Sequence, residues 1–315
     1  MIKSVKIIVA LLLFVAGSFS SVSSQQYDPL YTQYMFNSLA INPAYAGTSG
    51  VLNAMLMSRL QWIGIEDAPK TQTLSFHTPV ASRNIGAGLS IIHDIISPVT
   101  NTNISTDYSY NFKLNQEFRM SLGLKVSISS FKRDLSKFYD DEDISRDPLY
   151  SNPVDKKVLP NFGFGAYCYS SKYYFGAAIP RLVENILSDD GSVSSVNKDK
   201  MNRLYMVMGG GVFPVGSYVI LKPSFILRAS GSAPLSYDLN VNALIKEKLW
   251  AGLMLRPKEA FGTLIQLQLS NQMRIGYAFE MMTNKLMSHH RGTHEIMISY
   301  DFIFKKENIQ NPRYF

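Results

Sequence analysis

The residues of this 315-residue chain that could do chemistry fall into three groups. Asp140, Asp141, Glu142 and Asp143, with Asp147 following, offer a cluster of oxygen ligands to Ca²⁺, which takes six to eight of them. Neither the glycine nor the closing glutamate of an EF-hand accompanies them, so a solvated acidic loop is the expected reading. His289, His290 and His294 offer imidazoles to a transition metal. Their spacing fits no zinc pattern, and surface histidines are expected. His77 and His93 stand in strand-like patterns with no nucleophile motif beside them, and the chain has neither G-x-S-x-G nor a phosphate-binding Gly-Lys-Ser/Thr. Cys168 is the only cysteine, which excludes an intramolecular disulfide, a zinc ribbon and a CxxC redox pair. The expectation is a protein that is not an enzyme and has neither metal nor cofactor.

The elements that would have to position these groups are strands. From Asn103 to Asn115, Ile104, Tyr108, Tyr110, Phe112 and Leu114 interleave with Ser105, Asp107, Ser109, Asn111 and Lys113. The alternation returns at Met120, Leu122, Leu124, Val126 and Ile128, and again at Ile265, Leu267 and Leu269. Each such strand has one apolar and one polar face, as a soluble sandwich or a membrane barrel would. Strands of about ten residues, a preceding export signal and almost no helical periodicity favour an all-β, outer-membrane antiparallel β-barrel.

Residues 1–24 carry Lys3 and Lys6, an apolar run Ile7 to Ala16, and small residues ending Val22-Ser23-Ser24, the layout of a secretory signal peptide. Its removal would leave Gln25 first and lower the net charge from +7 to +5, too mild for a nucleic-acid groove. The apolar core is short for a span, and no cysteine follows it to carry a lipid. Leu204 to Leu221 is the longest uncharged stretch elsewhere, but Gly209-Gly210-Gly211, Pro214 and Gly216 divide it into two strands.

Alternation and turn residues place about 14 strands between Val51 and Phe304. Connections at Ala81 to Asn84, Asn115 to Glu117, Ser170 to Lys172, Pro214 to Ser217, Lys246 to Lys248 and Ser270 to Gln272 are short. The others include the long Lys137 to Leu159, Glu184 to Lys200 and Thr283 to His294. Short turns on one side belong to the periplasm, and an even strand count places both mature termini there. The expected division is a signal peptide 1–24, an N-terminal periplasmic or plug segment 25–50, a barrel 51–304, and a periplasmic tail 305–315. Glycines at 86, 88, 163, 165, 176, 252 and 276 are read as bends and close approaches in a curved sheet. Inward Asp107, Lys113, Arg119, Lys125, Asp238 and Asp301 are expected to pair across a narrow lumen. Tyrosines and phenylalanines near strand ends suit the headgroup girdles of such a barrel.

Two segments are more particular than a generic barrel requires. Tyr27-Asp28-Pro29-Leu30-Tyr31-Thr32-Gln33-Tyr34-Met35-Phe36-Asn37, then Ile41-Asn42-Pro43-Ala44-Tyr45-Ala46-Gly47, resembles the opening of the PorP/SprF family of type IX secretion and gliding proteins of Bacteroidota. Gln61-Trp62-Ile63-Gly64, Ala68-Pro69-Lys70-Thr71-Gln72, Pro160-Asn161-Phe162-Gly163, His294-Glu295-Ile296 and Pro312-Arg313-Tyr314-Phe315 continue the likeness. Asp67 departs from it, standing where glycine is expected. The resemblance implies an outer-membrane component in a Gram-negative bacterium that works beside the type IX translocon, through contacts with the translocon, a periplasmic ring or secreted cargo. These motif residues are then the candidates for partner contact. Independently, Asn42-Pro43-Ala44 can form a turn entering a plug, since proline fixes its backbone and asparagine can bond the backbone beyond it. The same tripeptide resembles the hatch of long-chain fatty-acid channels, so the alternative is a channel for hydrophobic small molecules; an outer-membrane hydrolase comes after both.

Overall fold

A computed structural model describes residues 29–80, 84–136, 154–188, 199–231 and 233–303. The wall begins with β1 (Leu52–Leu60), β2 (Lys70–Val80), β3 (Ile85–Ile96), β4 (Val99–Lys113), β5 (Arg119–Asp134), β6 (Val154–Tyr169) and β7 (Tyr173–Arg181). A small hairpin of β8 (Asn185–Ser188) and β9 (Asp199–Met201) follows, then β10 (Leu204–Gly211) and β11 (Phe213–Val215). The wall ends with β12 (Val219–Ser230), β13 (Ala233–Ile245), β14 (Leu249–Arg256), β15 (Ala260–Gln268), β16 (Met273–Met282) and β17 (Thr293–Phe302).

Every wall strand pairs antiparallel with its neighbours. β1 pairs with β17 from Leu52↔Phe302 to Leu60↔His294, and β10 bridges β7 and β12. β10 and β11 occupy one position, interrupted at Val212, so the sheet closes as a 14-stranded barrel. Closure leaves no open edge, which is the condition for a sheet to lie in hydrocarbon.

The faces are inverted relative to a soluble protein. Leu124, Ile128, Phe162, Leu253 and Ile265 point outward and are more than half exposed, whereas Ser105, Asp107, Asn111, Ser121, Gln266 and Ser299 are buried inside. A sandwich in water would expose the second set and bury the first. An apolar band around a polar interior is the arrangement that lipid selects.

Strand order groups the short turns at one end of the barrel. At the other end lie the longer connections 61–69, 135–153, 182–203 and 283–292, but 97–98, 231–232 and 257–259 are tight there. β6 starts at Val154, inside the long connection expected to run to Leu159, and continues the ladder with β5 as far as Asp134↔Val154. Asp155, Lys156 and Lys157 lie in that extension; polar residues on successive positions hide a strand that has left the lipid. β11 likewise takes up the start of the expected Pro214 to Ser217 turn.

Within the lumen, residues 29–50 form a plug of short helical turns at Tyr34–Phe36, Ser38–Ile41 and Pro43–Tyr45. Tyr31, Tyr34, Met35, Leu39, Ile41, Ala44, Tyr45 and Ala46 make its apolar core with Met55, Met57, Tyr167, Tyr174, Met208 and Met297 of the wall. The plug runs down the lumen. Thr32 and Gln33 sit by Arg59, Glu280 and Glu295, near the long-loop ends of β1, β16 and β17; Ala46 and Gly47 sit by Ser109, Gly86 and His77, near the short-turn end. The described chain therefore begins, at Pro29, near the long-loop end. Strand parity dictates where β1 starts, and the plug spans the lumen before β1.

Candidate functional site

Asn42 is the pivot of the lower plug. Its side-chain oxygen accepts from the Ala44 N–H at 3.0 Å, capping the turn Pro43–Tyr45, and its amide nitrogen donates to the Ala166 carbonyl at 2.9 Å. The capping turn expected from Asn-Pro-Ala is present, and it is tied to β6. Below it, the Ser121 and Ser109 hydroxyls donate to the Ala44 and Ala46 carbonyls at 2.6 and 2.7 Å. These wall serines take up backbone acceptors that lie out of reach of water.

The wall is cut back where the plug touches it. A Cβ on Gly123 would overlap the Ala44 backbone, and one on Gly86 would overlap the Ala46 carbonyl. Gly88, Gly165, Gly176 and Gly276 also face plug atoms, so the close approach at these positions is that of the plug. Gly163 and Gly252 instead face neighbouring wall atoms, at Pro180 and Asn242.

Higher up, the inner wall carries a continuous ribbon of buried charge. Arg228 and Arg256 flank Asp238; Arg256 reaches Glu280 at 3.3 Å; Glu280 pairs with Arg59 at 3.1 Å, and Arg59 with Glu295 at 3.1 Å. The plug joins this ribbon directly. The Thr32 and Gln33 N–H groups donate to Glu295 at 3.0 and 2.9 Å, and the Thr32 hydroxyl donates to Glu280 at 2.7 Å. Charges so deep in a wall persist only when every member is paired and hydrogen-bonded. The residues expected to pair across the lumen pair instead between adjacent strands, whose inward side chains stand closest: Asp107 meets Lys125 at 3.0 Å, Asp301 meets Arg274 at 3.2 Å, and Asp238 sits between Arg228 and Arg256. Lys113 and Arg119 lie at the short-turn rim, where they pair across β4 and β5 in the ladder.

Sequence reasoning missed Arg59, Arg228, Arg256, Glu280 and Glu295 as lumen residues. The signal was available: each sits at the inward parity of its strand, as Arg59 does beside Met55 and Met57. The motif residues fall in three places. Gln33, Tyr34, Met35, Asn37, Asn42, Pro43, Ala44 and Gly47 are buried in the lumen, with Phe36 edge-on to Trp250 at 5.8 Å. Pro29 lines a cavity of about 120 Å³ near the long-loop end, with Tyr34, Asp94, Asn101, Lys125 and Arg228. Tyr27 and Pro312, Arg313, Tyr314 and Phe315 lie outside the described residues.

The third place is the first long loop. Gln61 N–H donates to the Pro69 carbonyl at 2.9 Å, and Ile63 exchanges backbone bonds with Gly292 and Arg291. Trp62 and Gly64 have left-handed backbones that turn the loop onto 291–293. Asp67 has φ 55°, so the conformation that suits glycine there is carried by aspartate. Thr71 donates to Asp94 inside the lumen, while Lys70 is exposed.

The chemical candidates do not converge. His289 is exposed, His290 is buried and accepts from the Gly292 N–H at 2.8 Å, and His294 bonds the Tyr277 hydroxyl at 2.7 Å. Burial lowers the His290 pKa from its ordinary value. The expected surface position is thus corrected for His290. Among the described residues no group of three potential ligands could hold a metal ion. The acidic run Asp140 to Asp143 lies outside them.

Fourteen strands, an apolar girdle and a lumen filled by its own N-terminal segment define a plugged outer-membrane β-barrel. The chain belongs to the family described as type IX secretion system membrane protein PorP/SprF, matched over residues 23–300. A search among curated protein sequences gives no match. Solved structures it is similar to include the Acinetobacter baumannii outer membrane protein Omp33, at 8% identity and TM-score 0.45, covering 80% of this chain and 98% of that one. A Pseudomonas aeruginosa FadL homologue is similar at 12% identity and TM-score 0.44, with 80% and 89% covered. The KdgM porin follows at 7% identity and TM-score 0.39, with 80% and 99% covered. At these TM-scores the likeness carries no weight beside the strand pairing itself.

Proposed function

We propose that this chain is a non-catalytic part of the type IX secretion or gliding machinery that acts through contacts made at its two rims. The observation that carries this reading is the filled lumen. Residues 29–47 cross it from end to end and are held by the charge ribbon above and by wall serines below. A barrel occupied in this way has its outer surfaces left for work.

The short turns face the periplasm in this reading, as in bacterial barrels generally. The tail 305–315 leaves β17 at that end, and its Arg313, Tyr314 and Phe315 are residue types that anchor interfaces. We assign 1–24 to a cleaved signal, 25–50 to the plug, 51–304 to the barrel and 305–315 to a docking tail. The plug motif residues serve the plug, and partner contact falls to the rims, the Gln61 to Gly64 loop and the tail. The partner is a translocon subunit, a periplasmic ring protein or secreted cargo.

The test pairs two measurements on protein purified in mild detergent. Mass spectrometry of co-purifying chains is expected to recover type IX components, and planar bilayers are expected to stay closed. Steady conductance, or uptake of hydrophobic small molecules without any co-purifying component, would overturn the proposal in favour of a channel with a hatch.

A further inference from the structure

We propose that the amino terminus created by signal cleavage opens on the long-loop side of the barrel, opposite the carboxyl-terminal tail, so that it is presented to the cell exterior. The exterior assignment rests on the orientation given above; the opposition of the two termini does not.

The plug runs in one direction along the lumen. Gly47 lies over Gly86, one residue from the short-turn end of β3, and Ser121, which holds Ala44, is two residues from the start of β5. Earlier residues lie progressively farther away. Thr32 and Gln33 bond Glu295, which is seven residues above Phe302 at the short-turn end of β17 and two from the other end. Pro29 and Tyr31 go on to line the cavity near the long-loop end, with Asp94, Asn101 and Arg228. The chain therefore enters the described lumen at its long-loop mouth.

The residues before Pro29 are too few to return. Cleavage after Ser24 leaves four of them, Gln25 to Asp28, and an extended chain covers at most about 3.5 Å per residue, or roughly 14 Å. The descent from the level of Glu295 to the short-turn rim is about 18 Å, taking roughly 3.3 Å per strand residue and a tilt near 40°. That path is already filled by the plug core of Tyr34, Leu39, Ala44 and Tyr45. A leader processed at this site delivers its new end to the side where the long loops are.

Three strains test this, each with one epitope on a long flexible linker: between Ser24 and Gln25, in the long loop at Asp190, or in the tight turn at Gly216. Heat-modifiable migration confirms a folded barrel in each. On intact cells the first two epitopes are expected to bind antibody equally, and the Gly216 epitope only after the outer membrane is permeabilised. An amino-terminal epitope that appears only after permeabilisation, while Asp190 is already decorated, would overturn the proposal. If Gly216 is decorated on intact cells and Asp190 is not, the orientation falls; the amino-terminal epitope must still behave as Asp190 does, or the proposal falls with it.

Discussion

Arg59 and Glu295 face each other directly across the ladder that joins the first strand to the last, with their charged groups 3.1 Å apart and both side chains almost wholly buried. Glu295 also receives two plug N–H groups, so one carboxylate holds the barrel wall and the plug together.

Glu295→Ala should therefore be among the most damaging single changes in the lumen. It strands Arg59 beside Glu280 alone and leaves two buried donors open, at a cost of about 3–5 kcal/mol. The conversion temperature between folded and unfolded bands on gels is expected to fall well below that of the unaltered protein. The double variant Arg59→Met/Glu295→Leu should recover much of the loss of the wall pair. Equal loss in single and double variants would show that the pair itself is unimportant.

Gly123→Val fills the space occupied by the Ala44 backbone. The plug cannot shift sideways there, since Ser109 and Ser121 hold the same segment, so it is expected to leave its seat. Cleavage of the plug by protease in detergent should rise, and channel current should appear. A Gly123→Val barrel that stays closed and protease-resistant would contradict a tightly fitted plug.

Asn42 separates capping from anchoring. Asn42→Asp keeps an acceptor for the Ala44 N–H but points a carboxylate at the Ala166 carbonyl, whereas Asn42→Ala loses both contacts. Each unsatisfied buried group costs about 1–3 kcal/mol. Neither variant is expected to match the native conversion temperature, and rescue by aspartate would mean that the cap alone matters.

The inverted faces give a fourth test. Leu124 is 59% exposed in β5 and points at lipid, while Ser127 points inward. Leu124→Arg is expected to cost about 2–4 kcal/mol if it lies near the bilayer midplane, and Ser127→Ala much less. Refolding into lipid vesicles, measured by heat-modifiable migration, orders the two.

Strand positions were legible because lipid on one side and a polar lumen on the other impose strict alternation, as at Tyr108, Ser109, Tyr110 and Asn111. Where a strand leaves the lipid this constraint lapses, and the Asp155 to Lys157 start of β6 went unread. The plug was legible only at Asn42-Pro43-Ala44, where local turn chemistry speaks for itself. Its direction, and the reason for Gly123 or Gly86, depend on contacts between residues far apart in sequence. The ribbon from Arg228 to Glu295 was hidden for the same reason: inward parity marks each residue, but only closure makes them neighbours.

The strand pair that closes the barrel carries a consequence for how the molecule is built. β1 and β17 are the two ends of the strand order, and their union is the last one a sheet growing from either end can make. A cylinder already sealed would have to be threaded by a segment bearing Tyr31, Tyr34 and Tyr45. Because Glu295 binds Arg59 on one side and the Thr32 and Gln33 backbone on the other, closing the seam and seating the plug are coupled through one carboxylate. A chain lacking the plug would still have every strand of the wall paired, but its seam would close with two hydrogen-bond donors missing from Glu295.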